Sequence, residues 1–384
     1  LGFRKRVALL IETSSIYGRG ILEGIAEFQR TGIQWSVFLD ERELRSAPPE
    51  WLLEREWDGI ISRFTTPQLA KAFVAKKIPT VDLNDFYSET SLPRIHSDMV
   101  EIGRMAARHL FERGFRNFAY CGFEEIWSEQ RKKGYTEQVG EYGLSVPTYD
   151  SVWHGKGMTK WDVDQTRIAK WIRKLPKPVG IMACNDVRGQ HVLNACQMLN
   201  EFVPERVGVV GVDNDELLCN LCNPPLSSIQ PNPPRIGYEA AKLLSELMNG
   251  TKQTEVQVLI APVDVVTRQS TDALGIDDDE VVAAVAIVRE RAFMGLSVDE
   301  LVSELAISRS SLERKFRKYL GHSPQIEIRK TQVKRIKELL SETEMNLSAI
   351  AHATGFEHTE YMTVVFKRLV GEAPSEYRKR IKGF

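Results

Sequence analysis

Leu301-Val302, Ala306-Ile307, Leu312, Phe316, Gly321 and Pro324 recur, about fifty residues later, as Ile350-Ala351, Gly355-Phe356, Met362, Phe366, Gly371 and Pro374. An internal repeat of this kind marks one supersecondary unit used twice. Each copy predicts a short helix, a tight turn and a longer helix that stops at glycine. Ser297 with Glu300 has the spacing of a capping box at the start of the first helix, and Ser308 is placed to cap the next. Residues 325–340 join the copies, and Ile326, Val333, Ile336 and Leu340 repeat at helical spacing as a packing stripe. Asp277 to Glu280 precede residues 281–294 and favour a helix N-terminus there.

Two apolar helices meeting at a short turn is helix-turn-helix geometry, in which the second helix enters the major groove of duplex DNA. Outside its apolar stripe, that helix carries Arg309, Ser310, Ser311, Glu313, Arg314, Arg317 and Lys318 in the first copy. The second copy offers His358, Thr359, Glu360, Thr363, Lys367 and Arg368. Arginine can fork onto guanine edges, whereas lysines and hydroxyls anchor phosphates. A bundle with merely solvated charged faces is the bland alternative, and the repeat argues against it.

Charge is distributed accordingly. The 384 residues sum to −1. Residues 305–384 hold 16 Lys+Arg against 9 Asp+Glu, or +7, which leaves −8 on residues 1–304. A basic tail on an acidic body directs a polyanion to the tail alone. No stretch approaches eighteen apolar residues, so no membrane partner is expected. The opening Arg4-Lys5-Arg6 and residues 7–11 read as a first strand, because the apolar run is short and stops at Glu12. Five cysteines cannot all pair, and the cytoplasm is the expected compartment, with the nucleoid as the location when bound.

Ahead of residue 268, short apolar runs alternate with helix-length amphipathic segments. The runs are 7–11, 35–39, 59–61, 80–83, 117–120, 179–183 and 207–212; the segments include 99–113, 129–142, 162–175 and 188–199. This pattern predicts parallel sheets buried on both faces, with ligands beyond the carboxyl ends of the strands. The expected organisation is residues 1–270 as an α/β sensor of two Rossmann-like subdomains, 271–280 as linker, and 281–384 as an all-α double helix-turn-helix domain.

Gly18-Arg19-Gly20 with Gly24, and Asp40 ending the second run, invite a dinucleotide reading. The glycines come too late after the strand, inside or beside a helix. Cys219 and Cys222 form a lone CxxC and read as free thiols. No HExxH, GxSxG or Walker pattern is present, so neither catalysis, metal nor cofactor is expected. Polar residues do gather at strand ends: Tyr17, Arg19, Asn84, Asp85, Asp98, Trp127, Arg131, Asn185, Asp186, Asp213, Asn214 and Gln230. Singly these suit turns and helix caps. Together, carboxylates, amides, arginines and aromatic faces suit a polyhydroxylated ligand. The candidate effector set is Tyr17, Arg19, Asp98, Trp127, Arg131, Asn185, Asp186, Asp213 and Gln230.

Over residues 280–384 the chain closely resembles the AraC/XylS regulators, on Ile350-Ala351, Gly355-Phe356, Phe366-Lys367, Gly371, Pro374 and Tyr377-Arg378 with the equivalent first-half positions. Arg314 matches a DNA-contacting position of that family. Met362 replaces its usual phenylalanine, and Val364 stands where several members carry a polar or basic residue. Residues 5–268 resemble the LacI/GalR regulators and periplasmic sugar-binding proteins more loosely. The matching stretches are Gly20-Ile21 to Gly24-Ile25, Arg131 to Gly134-Tyr135, Ala183 to Asp186, residues 209–213 and residues 226–229. That resemblance puts Arg131, Asp213, Asn185 and Asp98 on effector-contacting positions. A LacI-like sensor joined to an AraC-type reader is the arrangement of the bacterial xylose-operon regulators. It implies a small sugar effector such as xylose, double-stranded operator DNA, a homodimer and contact with RNA polymerase as an activator. A transport-type sugar-binding protein or a nucleotide-dependent enzyme are the alternatives, separable by DNA binding and dinucleotide binding respectively.

Overall fold

The computed structural model describes residues 4–32, 35–39, 41, 43, 46–49, 51–86, 91–153, 157–251, 257–272 and 275–382. The chain divides into two compact units, Leu1–Gly275 and Ile276–Phe384. Asp40 lies outside the described residues. No helix is long and apolar enough to cross a membrane among those described.

The first unit has two lobes, each built on a six-stranded sheet. Strands β1 (Arg6–Leu10), β2 (Ser36–Leu39), β3 (Gly59–Ser62), β4 (Thr80–Asp82) and β5 (Arg94–Ser97) carry helices α1 (Ile16–Arg30), α2 (Trp51–Glu54) and α3 (Pro67–Ala75). The chain then enters the second lobe: α4 (Met99–Glu112), β6 (Asn117–Phe123), α5 (Ile126–Glu141), β7 (Thr148–Ser151), α6 (Trp161–Lys174), β8 (Val179–Ala183), α7 (Asp186–Met198), β9 (Val207–Val212), α8 (Glu216–Leu221) and β10 (Ser227–Gln230). It returns to the first lobe for α9 (Pro233–Met248) and β11 (Gln257–Ile260), and crosses a third time into β12 (Asp264–Val266). The sheet orders are β2-β1-β3-β4-β5-β11 and β7-β6-β8-β9-β10-β12, parallel throughout except where β12 runs against β10. Three crossings therefore join the lobes, after β5, β10 and β11.

Continuous apolar runs give the central strands, as in β8 and β9, which are buried along their whole length. The glycines of α1 have a packing role. A Cβ at Gly24 would meet the Pro234 carbonyl at 1.9 Å, and one at Gly237 the Ile21 carbonyl at 1.9 Å. Helices α1 and α9 thus touch backbone to backbone, which only glycine permits. Gly18, Gly20 and Gly24 all lie within α1 rather than in a phosphate-binding turn.

The expected linker from residue 271 begins too early. Ser270 and Thr271 are fully buried in a 3-10 turn, with the Thr271 hydroxyl 2.8 Å from His109 Nε2 and 2.7 Å from Ser227 Oγ. These two hydroxyls are held by the second lobe, so the polar sequence there is tertiary structure. Residues 273–274 lie outside the described set. All five cysteines are buried free thiols.

The second unit is helical: α10 (Asp279–Arg291), a 3-10 turn (Ala292–Met294), α11 (Val298–Leu305), α12 (Arg309–Leu320), α13 (Pro324–Glu342), α14 (Leu347–Ala353), α15 (Thr359–Val370) and α16 (Pro374–Lys382). Caps set the boundaries. Ser297 and Glu300 form the capping box of α11, Ser308 caps α12, Asp278 caps α10, and Gly321 and Gly371 end α12 and α15 in left-handed conformations. Two cores result. One gathers Val281, Val285, Leu301, Leu312, Phe316 and Ile328; the other gathers Val333, Ile336, Leu340, Ile350, Met362 and Phe366. Ile326 departs from the expected stripe: it is 41% exposed, and Ile328, fully buried, takes its place. Helix α13 serves both cores, so its buried face starts two residues later.

Candidate functional site

A cleft opens between the two lobes of the first unit. It is lined from the first lobe by Glu12, Ser15, Tyr17, Arg63, Asp85 and Phe86, and from the second by Trp127, Arg131, Trp153, Asn185 and Asp213. Its empty space, partly open to solvent, is about 460 Å³.

Each wall has one buried arginine. Arg63, one residue past β3, ion-pairs with Glu12 and meets Asp85 at 3.1 Å, while its guanidinium lies 4.4 Å from the Tyr17 ring centre. Tyr17 Oη is 2.8 Å from Ser97 Oγ at the first crossing, and burial holds its phenol far above the usual range. Arg131, on α5, donates to the Cys184 carbonyl at 2.5 Å and to Asp213 at 3.4 Å, over the Trp127 ring at 4.9 Å. Asp213 has φ 106°, a region that non-glycine residues rarely adopt. Burial raises its pKa, against the pull of Arg131 and Arg63. Trp153 stacks on Phe123 (5.0 Å, 13°) and meets Trp127 edge-on at 5.5 Å. Behind them the fully buried Arg188 sits 3.9 Å from the Phe123 ring and bonds Asp164 at 2.7 Å. The result is an aromatic wall beside two arginines and three carboxylates. Such a surface can accept from and donate to vicinal hydroxyls while covering a C–H face.

Of the expected effector residues, the cleft brings together Tyr17, Trp127, Arg131, Asn185 and Asp213. The other four stand elsewhere. Arg19 is exposed and turns to the Thr13 carbonyl at 2.9 Å, because α1 carries it past the cleft rim. Asp98 caps α4, accepting from Glu101 N at 2.9 Å. Asp186 is buried, accepting from Ser228 Oγ at 2.6 Å and Asp215 N at 2.8 Å. Gln230 is exposed at the second crossing. Sequence reasoning missed Glu12, Ser15, Arg63, Phe86 and Trp153 as lining residues. A charge closing an apolar strand run was the available signal for Glu12 and Arg63.

In the helical unit, Leu312 and Phe316 bury one side of α12, leaving Arg309, Ser310, Arg314, Arg317 and Lys318 exposed and Ser311 half-buried. Arg309 is held by Asp299 at 2.7 Å and Glu313 at 3.5 Å. Arg314 has no ion-pair or hydrogen-bond partner among the described residues. On α15, Met362 and Phe366 are buried. His358, Glu360, Lys367 and Arg368 are exposed, Thr359 and Thr363 half-buried, and Val364 is 63% exposed. Tyr361, unremarked in the sequence, is 51% exposed and lies 5.1 Å from the Arg329 guanidinium.

Residues 107–271 match the family model of periplasmic binding protein-like domains, residues 6–98 that of the XylR N-terminal domain, and residues 301–380 that of a helix-turn-helix domain. The chain is 30% identical over 383 residues to the xylose operon regulatory protein of Haemophilus influenzae, covering 97% of this chain and 98% of the relative. It is 31% identical over 386 residues to that of Escherichia coli strain K12, covering 98% and 97%. A solved structure described as a xylose-binding transcription activator superposes with a TM-score of 0.83 at 30% identity, covering 98% of each chain. A LacI family regulator from Enterococcus faecium solved with bound ribose matches the sensor fold (TM-score 0.57, 17% identity, 71% of this chain and 100% of that one). Identity at this level over nearly the whole of both chains decides the matter: this chain belongs to the xylose operon regulatory protein family.

Proposed function

We propose that the protein is a transcription regulator that binds duplex DNA through α12 and α15 and is switched by a pentose such as xylose held between the lobes of the first unit. One observation carries the sugar reading: Arg63 and Arg131 face one cleft from opposite lobes, Arg63 beside Glu12 and Asp85, Arg131 beside Asp213, and each beside an aromatic ring. A sugar touching both arginines favours the closed arrangement of the lobes, and only that differential affinity can shift the regulator between states. Trp127 and Trp153 cover the C–H face of the ring, while Glu12, Asp85 and Asp213 accept from its hydroxyls. The AraC/XylS resemblance supports activation through RNA polymerase, and the LacI/GalR resemblance supports a homodimer.

The test is a thermal-shift screen of pentoses and hexoses, followed by DNA binding with and without the hit. A ligand that binds only the native state raises the melting temperature. Xylose is expected to raise it and to change DNA affinity. No shift with any sugar removes the sugar reading, and salt-independent DNA binding removes the reader.

A further inference from the structure

The two recognition helices belong to separate cores, so something must fix one against the other. Helix α13 runs through both, and at its middle is Gln332, 1% exposed. Its Nε2 donates to the Ala292 carbonyl and to the Thr354 carbonyl, each at 2.9 Å, and its Oε1 accepts from Arg329 at 2.7 Å. Ala292 opens the turn after α10, in the first half. Thr354 lies in the turn of the second helix-turn-helix. One amide therefore satisfies two buried carbonyls from opposite halves and has its own acceptor filled. Beside it, Gly355 (φ +75°) lies so close that a Cβ would stand 2.8 Å from Ala292 O, Phe293 O and Gly295 N.

We infer that Gln332 is a positioning residue for DNA recognition: it fixes the spacing and phase of α12 and α15, so that one chain reads two stretches of major groove as a single rigid head. This rests on α12 and α15 being the recognition helices. Linking two binding elements rigidly raises the effective concentration of the second on a site that matches, and loses it on a site that does not. A polar joint has one geometry, whereas apolar side chains could slide.

The probes are duplexes that the wild-type full-length chain selects from a random library, the same duplexes with the two halves moved apart by two base pairs, and each half alone. At ~10.5 base pairs per turn, two base pairs rotate one half by about 70°. Wild type should lose affinity about tenfold or more on the moved site. Gln332→Met keeps the volume and removes the amide. Gln332→Glu keeps the volume and the bond with Arg329 and removes both N–H donors. Both variants should bind each half as wild type does, which shows the two helix-turn-helices folded, yet bind the selected site about tenfold more weakly and lose most of the spacing penalty. An unchanged spacing penalty, or loss of half-site binding, overturns the inference. A wild type that selects no duplex overturns the recognition reading itself.

Discussion

The guanidinium of Arg131 meets the carboxylate of Asp213 at 3.4 Å, joining the middle of α5 to the residue that follows β9. Arg131 is also fixed by the Cys184 carbonyl, so its position does not depend on Asp213. The carboxylate, held at φ 106°, is aimed by the backbone. Arginine and carboxylate are thus each held by contacts of their own.

Asp213→Asn keeps the shape and a residue type that tolerates positive φ, and removes the charge. Hydrogen bonds to charged groups contribute about 1.5–3 kcal/mol, so sugar affinity should fall roughly ten- to hundredfold by calorimetry. DNA binding without sugar should stay at the wild-type level. A wild-type dose-response in DNA binding would refute the assignment of Asp213 to the effector.

Asp186 makes stability depend on pH. Burial, then the charge of Asp213, pushes its pKa up to about 8, against about 3.9 for an unfolded aspartate. Between those values the folded protein holds a proton that the unfolded chain has lost, so stability falls as pH rises toward 8. His109 opposes this at lower pH. Burial, then Arg113, lowers its pKa to about 3, and stability from that source rises until the unfolded imidazole is neutral, above ~6.5. From pH 6.5 to 8 the Asp186 effect stands by itself in this pair. Asp186→Asn should therefore flatten the decline of melting temperature across that window relative to wild type. Parallel curves for the two proteins would disprove it.

Particular residues show why parts of the fold and site were legible. The runs at β1, β8 and β9 announce themselves because both faces are buried. Strand β10 reads Ser-Ser-Ile-Gln, and is buried only because Ser227 and Ser228 find partners 41 and 42 residues away, on Arg268 and Asp186. Strand β7, Thr-Tyr-Asp-Ser, hides likewise, and with it Trp153. Glu12 and Arg63 are hard to read because they pair with each other across 51 residues, and Arg63 also meets Asp85, 22 residues on. Tyr17, Trp127, Arg131, Asn185 and Asp213 could be read because loops at strand ends gather in this fold wherever the lobes face each other.

On α12, two exposed arginines should behave differently. Arg314 is unpaired among the described residues, whereas Arg309 is held by Asp299 and Glu313. Arg314→Ala should cost about 1–3 kcal/mol on the preferred sequence and relax discrimination at one base position, as a lost bidentate contact does. Lys318→Ala should weaken all sequences alike and reduce the salt slope by about one. Arg309→Ala should do less than Arg314→Ala to selectivity. Binding to a set of single-base variants of a selected duplex separates the three, and unchanged selectivity in Arg314→Ala would rule it out as a base contact.

The turns of the two repeats solve one backbone problem with different residues. Ala306 ends α11 at φ 52°, and its counterpart Gly355 has φ 75°. Left-handed backbone costs a residue with a Cβ about 1–2 kcal/mol, partly offset by the larger unfolded-state entropy of glycine, about 0.4–1 kcal/mol. Ala306 is exposed. Ala306→Gly should then stabilise the helical unit slightly, by roughly 0.5 kcal/mol in urea unfolding. Gly355→Ala meets both the strain and the 2.8 Å approach to three backbone atoms, so it should destabilise by at least about 2 kcal/mol. The opposite signs are the point of the comparison. If both changes moved stability the same way, the repeat would not share the left-handed turn that its spacing requires.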